Sequence, residues 1–331
     1  MNRKRSLVSY LSAISLALVA FPMFSIQPLS AEDPSRAFKQ ANGSLQLEVR
    51  KVASGFKFTE GPVSDGKGNV FFTDIPNNRI MGLDISNNVS TFLENCGSCN
   101  GLAIDGKGEL IACRMDGELI GIDLDSKAVR VLSKDYQGTR YNACNDLVID
   151  RTGGIYFTDP RYKAPEPWPQ VVEAFYYRSA DGLVNRLGSD LVAPNGIVLS
   201  PDEKTLYVVP SLQKEVVAFD VELPGVLENR RVFCELRQKD QTGNKGGDGC
   251  AVDIEGNLYV TTDIGIQVYS PLRQSIGKTL SNYLGVIELP EIPANCGFAG
   301  SDGKTLYATC RTSLYAIPMP YAGHVFPGKV K

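Results

Sequence analysis

Histidine is almost absent from this chain. Its 331 residues contain one, His324, in the segment "YAGHVFPG" near the C-terminus. Serine–histidine–aspartate and cysteine–histidine machinery need an imidazole beside the nucleophile, and a three-histidine zinc centre needs three. None of these is expected, so any chemistry must use carboxylates, polar groups and a metal. Long amphipathic helical patterns are also missing; residues 163–173 leave room only for a loop or short helix. Charge of one sign never accumulates. The formal net charge is −3 with no long basic or acidic run, which argues against nucleic acid or an anionic membrane surface as a partner.

The first thirty residues differ from the rest. A basic start, "MNRKRS", precedes the apolar run "LVSYLSAISLALVAF", and "LSAEDP" offers small residues for cleavage near Ala31. That order is expected of a secretory signal over residues 1–31, with Pro22 favouring cleavage over retention as an anchor. The mature chain, 32–331, is then expected to form one domain, exported to the periplasm or medium and free of the membrane. Eight cysteines fit an exported protein, although 105 complete pairings are open to them. "CGSC" at 96–99 has redox or zinc spacing but lacks a second CxxC, so a local bridge or buried thiols is the expectation.

What the chain does have is one sentence written six times. "EGPVSDGKGNVFFTD" starts at Glu60, "NGLAIDGKGELIACR" at Asn100 and "NDLVIDRTGGIYFTD" at Asn145. "NGIVLSPDEKTLYVV" follows at Asn195, "DGCAVDIEGNLYVTT" at Asp248 and "NCGFAGSDGKTLYAT" at Asn295. Each is a short apolar strand, a turn, and a second strand of β-branched and aromatic residues; third and fourth strands show in "EVVAFD" and "RRVFCE". The starts are 40, 45, 50, 53 and 47 residues apart. Four strands per repeat of this length predict an all-β, six-bladed propeller rather than a sandwich. The last repeat shows only "TLYAT" and "SLYAI" after its first strand, so "SLQLEVRKV" (44–52) is expected to complete that blade and close the ring.

Register then selects a set of polar residues. Eight residues after each start comes a turn glycine, or Glu203 in the fourth repeat. In a propeller the first strand of each blade lines the central channel, so the six starts ring one mouth. They are Glu60, Asn100, Asn145, Asn195, Asp248 and Asn295, all carrying carboxylate or carboxamide oxygen. Any one could simply cap a turn, but six in register point to a shared role. Oxygen donors without imidazole suit a hard cation, Ca²⁺ better than the tightly octahedral Mg²⁺, with Zn²⁺ and Mn²⁺ left open. A softer site at Cys144 and Cys250 lacks regular spacing.

"TEGPVSDGKGNVFFTDIPNNRI", "NDLVIDRTGGIYFTDP", "APNGIVLSPDEKTLYV" and "GDGCAVDIEGNLYV" together resemble the gluconolactonase and regucalcin family, from about Phe56 to Tyr315. The resemblance implies a six-bladed propeller that binds one divalent cation in its channel and hydrolyses small-molecule lactones. It implies metal binding at Glu60, Asn195 and Asp248, with Asn145 at the ion or the substrate, and Asp248 as general base. Arg140 in "TRYNACND" resembles a substrate-contacting arginine, although its spacing to Asn145 is longer than the family's, and Cys144 stands where many relatives have proline. Asn100 and Asn295 are left to hydrogen bonding around the ring. Two rivals share the site: an organophosphate or aryl esterase, and a secreted calcium-binding propeller that binds a protein or glycan without catalysis.

Overall fold

The structure, a computed structural model, describes residues 38, 40–41, 43–240, 243–276 and 279–327, within the compact unit Pro34–Lys331. The expected signal at 1–31 lies outside the described residues. Six antiparallel sheets follow one another along the chain. Blade one is Thr59–Ser64, Val70–Asp74, Arg79–Leu83 and Val89–Glu94; blade two is Cys99–Ile104, Leu110–Arg114, Glu118–Ile122 and Val129–Ser133. Blade three is Leu147–Ile149, Ile155–Asp159, Ala174–Arg178 and Val184–Gly188; blade four is Pro194–Leu199, Thr205–Pro210, Glu215–Leu223 and Val226–Glu235. Blade five is Cys250–Val252, Leu258–Thr262, Gly265–Ile276 and Thr279–Ile287. Blade six takes Asn295–Ala299, Thr305–Cys310 and Ser313–Pro318, with Arg50–Ser54 as its outermost strand. The first strands pack side by side in cyclic order, the sixth returning to the first. This is the six-bladed propeller that the repeat predicts.

The turns explain why the repeats fold as hairpins. Asp65, Asp105, Asp150 and Asp253 each accept two main-chain N–H groups of the turn that follows, as when Asp105 Oδ1 accepts from Lys107 at 2.8 Å and Glu109 at 2.9 Å. The turn glycine lies in the left-handed region, with φ of 104° at Gly68 and 84° at Gly153; Glu203, its stand-in, is at 59°. Glu203 is held there by Arg151, whose main-chain N–H and Nε both donate to its carboxylate.

Alternation along each second strand divides its side chains between two neighbours. Val70 and Phe72 pack with Tyr307 and Leu314 of blade six, whereas Phe71, between them, packs with Leu102 and Leu110 of blade two. The core is accordingly six apolar clusters, each lying between two adjacent blades. All eight cysteines are buried within those clusters: Cys96 and Cys99 between blades one and two, Cys113 and Cys144 between two and three, Cys234 and Cys250 between four and five, Cys296 and Cys310 between five and six. They act there as small apolar fillers.

The N-terminal stretch departs from expectation in its register. The outer strand of blade six is Arg50–Ser54, pairing antiparallel with Ser313–Pro318, rather than 44–52. Ser44–Leu45 instead runs parallel to the edge of blade five, Ser44 opposite Val286. The apolar alternation at Leu45, Leu47 and Val49 is used, but against the cluster between blades five and six. The ladder on blade six starts only after that groove is filled.

Candidate active site at the channel mouth

Each ring position is fixed by its main chain before its side chain matters. The aspartate that ends "FTD" accepts the N–H groups of the approaching segment: Asp74 Oδ1 from Lys57 (2.9 Å) and Phe58 (3.3 Å), Asp159 from Asn142 (2.9 Å) and Ala143 (2.7 Å). These are equivalent residues, three and two before Glu60 and Asn145. The residue just after a ring position is glycine in four blades, and there the next blade is in contact. Gly101 N–H donates to Asn145 O at 2.8 Å and Gly196 N–H to Asp248 O at 3.0 Å. The strand threonines Thr73 and Thr158 donate to Asn100 O and Asn195 O. A Cβ on Gly196 would lie 2.5 Å from Asp248 O, and one on Gly61 2.4 Å from Asn100 O. Gly196→Ala is therefore expected to cost about 1–3 kcal/mol of stability by overpacking. The control is Gly106→Ala, whose Cβ would meet nothing nearer than Pro327 at 3.7 Å. Paired thermal melts check this, and equal melting temperatures would refute it.

Glu60, Asn100, Asn195 and Asp248 come together on one cavity of about 620 Å³, between apolar walls that include Phe58, Ile75, Met115 and Ile292. Tyr162 and Lys163, from the segment joining the second and third strands of blade three, reach over it. Asn195 Nδ2 donates to Ser211 Oγ at 3.0 Å and toward Tyr162 Oη at 3.5 Å. With Nδ2 committed as donor, Oδ1 is the atom left to meet a cation or substrate.

Other expected residues lie elsewhere. Asn145 is buried in the ring, but it is not among the residues lining this cavity; its carbonyl is the acceptor for Gly101. Arg140 is not brought to the cavity either. Its guanidinium donates to the carbonyls of Tyr141 and Asn142, both at 3.1 Å, and to that of Asp116, so it pins a loop. Asn295 lines a second cavity, of about 370 Å³, further along the inner strands. There it meets Asp146, its Nδ2 3.3 Å from Asp146 Oδ2. In the sequence only register marks Asp146: it occupies the place that glycine holds in four other repeats.

The electrostatics centre on three acids. Burial, then the charges of Asp248 and Asp146, push Glu60 well above the usual carboxylate range, against hydrogen bonds from Asn295 and Gly61 N–H. Asp248 is reachable from the cavity but has little water around its carboxylate. Burial and then Asp146 raise it to about 7, against a hydrogen bond from Asn195 and the charge of Arg311. Burial raises Asp146 to about 7 as well. Among the described residues no lysine or arginine forms an ion pair with Glu60 or Asp248. Nor are three His, Cys, Asp or Glu side chains grouped as a cage. Two crowded carboxylates beside carboxamide oxygens fit a hard cation, provided that the carboxamides or water supply part of its shell.

Comparison with known proteins agrees with this architecture. The family described as "SMP-30/Gluconolactonase/LRE-like region" matches residues 58–312. A gluconolactonase of Zymomonas mobilis subsp. mobilis is 28% identical over 299 residues, 83% of this chain and 81% of that protein. Regucalcin of Bos taurus is 27% identical over 287 residues, 81% of this chain and 89% of its own. Among solved structures, a gluconolactonase from Xanthomonas campestris superposes with a TM-score of 0.74 at 27% identity, covering 86% of this chain and 94% of that one. With six blades, a ring of oxygen donors and a match over most of its length, the chain belongs to the SMP-30/gluconolactonase/LRE-like family.

Proposed function

We propose that this protein is a metal-dependent hydrolase that opens sugar-acid lactones. The chain is an enzyme of the lactone-hydrolase kind, as its gluconolactonase relatives are named. The observation that carries the finer reading is the pair Glu60 and Asp248, two carboxylates facing one cavity with no cationic side chain ion-paired to either among the described residues. Glu60, Asn195 and Asp248 would hold one divalent cation, most suitably Ca²⁺, with Asn145 close by. When bound, such an ion supplies Lewis acidity toward a carbonyl oxygen. Asp248 takes the proton from the attacking water as the water oxygen bonds to the lactone carbon. Asp248 then returns that proton to the ring oxygen as the carbon–oxygen bond breaks, giving the open hydroxy acid. Burial beside like charges makes Asp248 a stronger base than a free aspartate, which opposes the weakening that a bound cation imposes. Asn195 is kept in place by Ser211 and Tyr162, and the apolar walls cover the faces of the sugar ring.

A pH-stat panel of aldonolactones and aryl esters tests this with calcium-loaded protein. Steady acid release from D-glucono-1,5-lactone is expected. Release from aryl or phosphoryl esters alone would move the assignment to the esterase reading, and release from nothing would favour the binding propeller.

A further inference from the structure

The acidic floor and apolar walls suit a cation and a sugar ring, but they leave the charge of the rim without a purpose. Three cationic side chains line the cavity: Lys163, Lys245 and Arg311. Lys245 is paired, its Nζ 3.0 Å from Asp263 Oδ2. The other two have no carboxylate partner among the described residues. Lys163 Nζ donates only to the hydroxyl of Ser98, at 2.7 Å. The Arg311 guanidinium lies 5.1 Å from the centre of the Phe58 ring and, among the described residues, makes no side-chain hydrogen bond or ion pair, its charge acting on Asp248 only from a distance.

The backbone at Arg311 makes its presence more pointed. Cys310 pairs with Ser313, so Arg311 and Thr312 form a two-residue hairpin turn, and Arg311 has φ of 49°. Such positions favour asparagine or glycine. The turn is held to the ring, because the Arg311 carbonyl accepts the N–H of Thr59, next to Glu60, at 2.8 Å. An arginine in an unfavourable turn position, clamped beside the site and lining its cavity without an ion-pair partner among the described residues, is placed to receive a ligand.

We propose that the substrate is an anionic lactone, one that carries a carboxylate or phosphate away from its reacting carbonyl, and that Arg311 and Lys163 receive that group. The inference rests on the lactonase reading and narrows it. Once a divalent cation balances Glu60 and Asp248, the two rim cations leave the cavity net positive. A neutral sugar lactone would not use that charge, whereas an anionic one is drawn in and oriented by it. The guanidinium can bond a carboxylate or phosphate with two N–H groups at once, and Lys163 adds a second point of charge.

The test compares kcat/KM for neutral D-glucono-1,5-lactone, D-glucaro-1,4-lactone (carboxylate) and 6-phospho-D-glucono-1,5-lactone (phosphate), at low and high salt. At least one anionic lactone should exceed the neutral one by about 10-fold, with the advantage shrinking as salt screens the rim. Arg311→Gln and Lys163→Gln should each lower the anionic-to-neutral ratio by roughly 3–10-fold, and Arg311→Lys should restore part of it. Lys163 is on an exposed segment, so its variant tests the idea even if the Arg311 turn tolerates no change. Whichever anionic arm is faster names the group. A ratio near one that neither variant alters overturns the proposal while leaving the lactonase reading intact. Turnover of none of the three overturns both.

Discussion

Chelator treatment is expected to abolish lactone turnover while the propeller stays folded. Removing a Lewis acid withdraws several kcal/mol of transition-state stabilisation, so kcat should fall by at least about 100-fold. The fold should survive because its six apolar clusters lie between blades and do not involve the ring carboxylates. Circular dichroism and a cooperative melt measure that half of the expectation. A second signature follows from the acids. Without a cation, Asp248 and Asp146 are raised to about 7 and Glu60 is held well above the usual carboxylate range. A carboxylate with a raised pKa in the fold contributes stability that is fully present below its unfolded value, about 4, and lost as pH rises through its folded one. The melting temperature of the chelated protein should therefore fall between about pH 4 and pH 7, and saturating calcium should flatten the decline. Full activity after chelation, or identical melting profiles with and without calcium, would contradict the assignment.

Asp248→Asn should depress kcat by roughly 10²-fold or more, even at saturating metal. The replacement keeps an oxygen of nearly the same shape and removes both the charge and the basicity. If Asp248 only held a cation, mass action would restore most of the turnover at high calcium. Asn195→Ala is the comparison, since a neutral carboxamide has no proton to take and its defect should yield to added metal. Recovery of both variants at high calcium would leave Asp248 as a ligand alone.

The propeller was legible because its signals are local. Turn aspartates and glycines sit at fixed offsets from strands that alternate in polarity, and six copies of that pattern leave little choice of fold. Register alone also marked the six ring positions, of which the structure brings Glu60, Asn100, Asn195 and Asp248 to one cavity. The misses concern direction. Nothing in "TRYNACND" says that Arg140 turns back onto three carbonyls. The N-terminal stretch was misplaced because Leu45, Leu47 and Val49 alternate like a ladder strand while filling a groove between blades. Asp146 follows a polar ring residue, Asn145, and nothing local distinguishes it from a second turn-capping side chain. The rim was the least visible part, since Lys163 and Arg311 come from connections whose direction only the folded chain sets.

The glycines after the ring positions have a wider consequence. At Gly61, Gly101, Gly196 and Gly249 there is no room for even a methyl group against the next blade. At Gly61, Gly101 and Gly196 main-chain atoms of the next blade set that spacing, so there the ring side chains hang from a frame whose size they do not determine, whereas at Gly249 the side chain of Asn295 is the near neighbour. Acid can replace amide on that frame, or one cation another, without any blade having to move. Such a scaffold separates the dimension of the site from its chemistry. Reassigning this protein to a new substrate should then require exchanges at ring and rim positions alone, with the spacing between blades carried over unchanged.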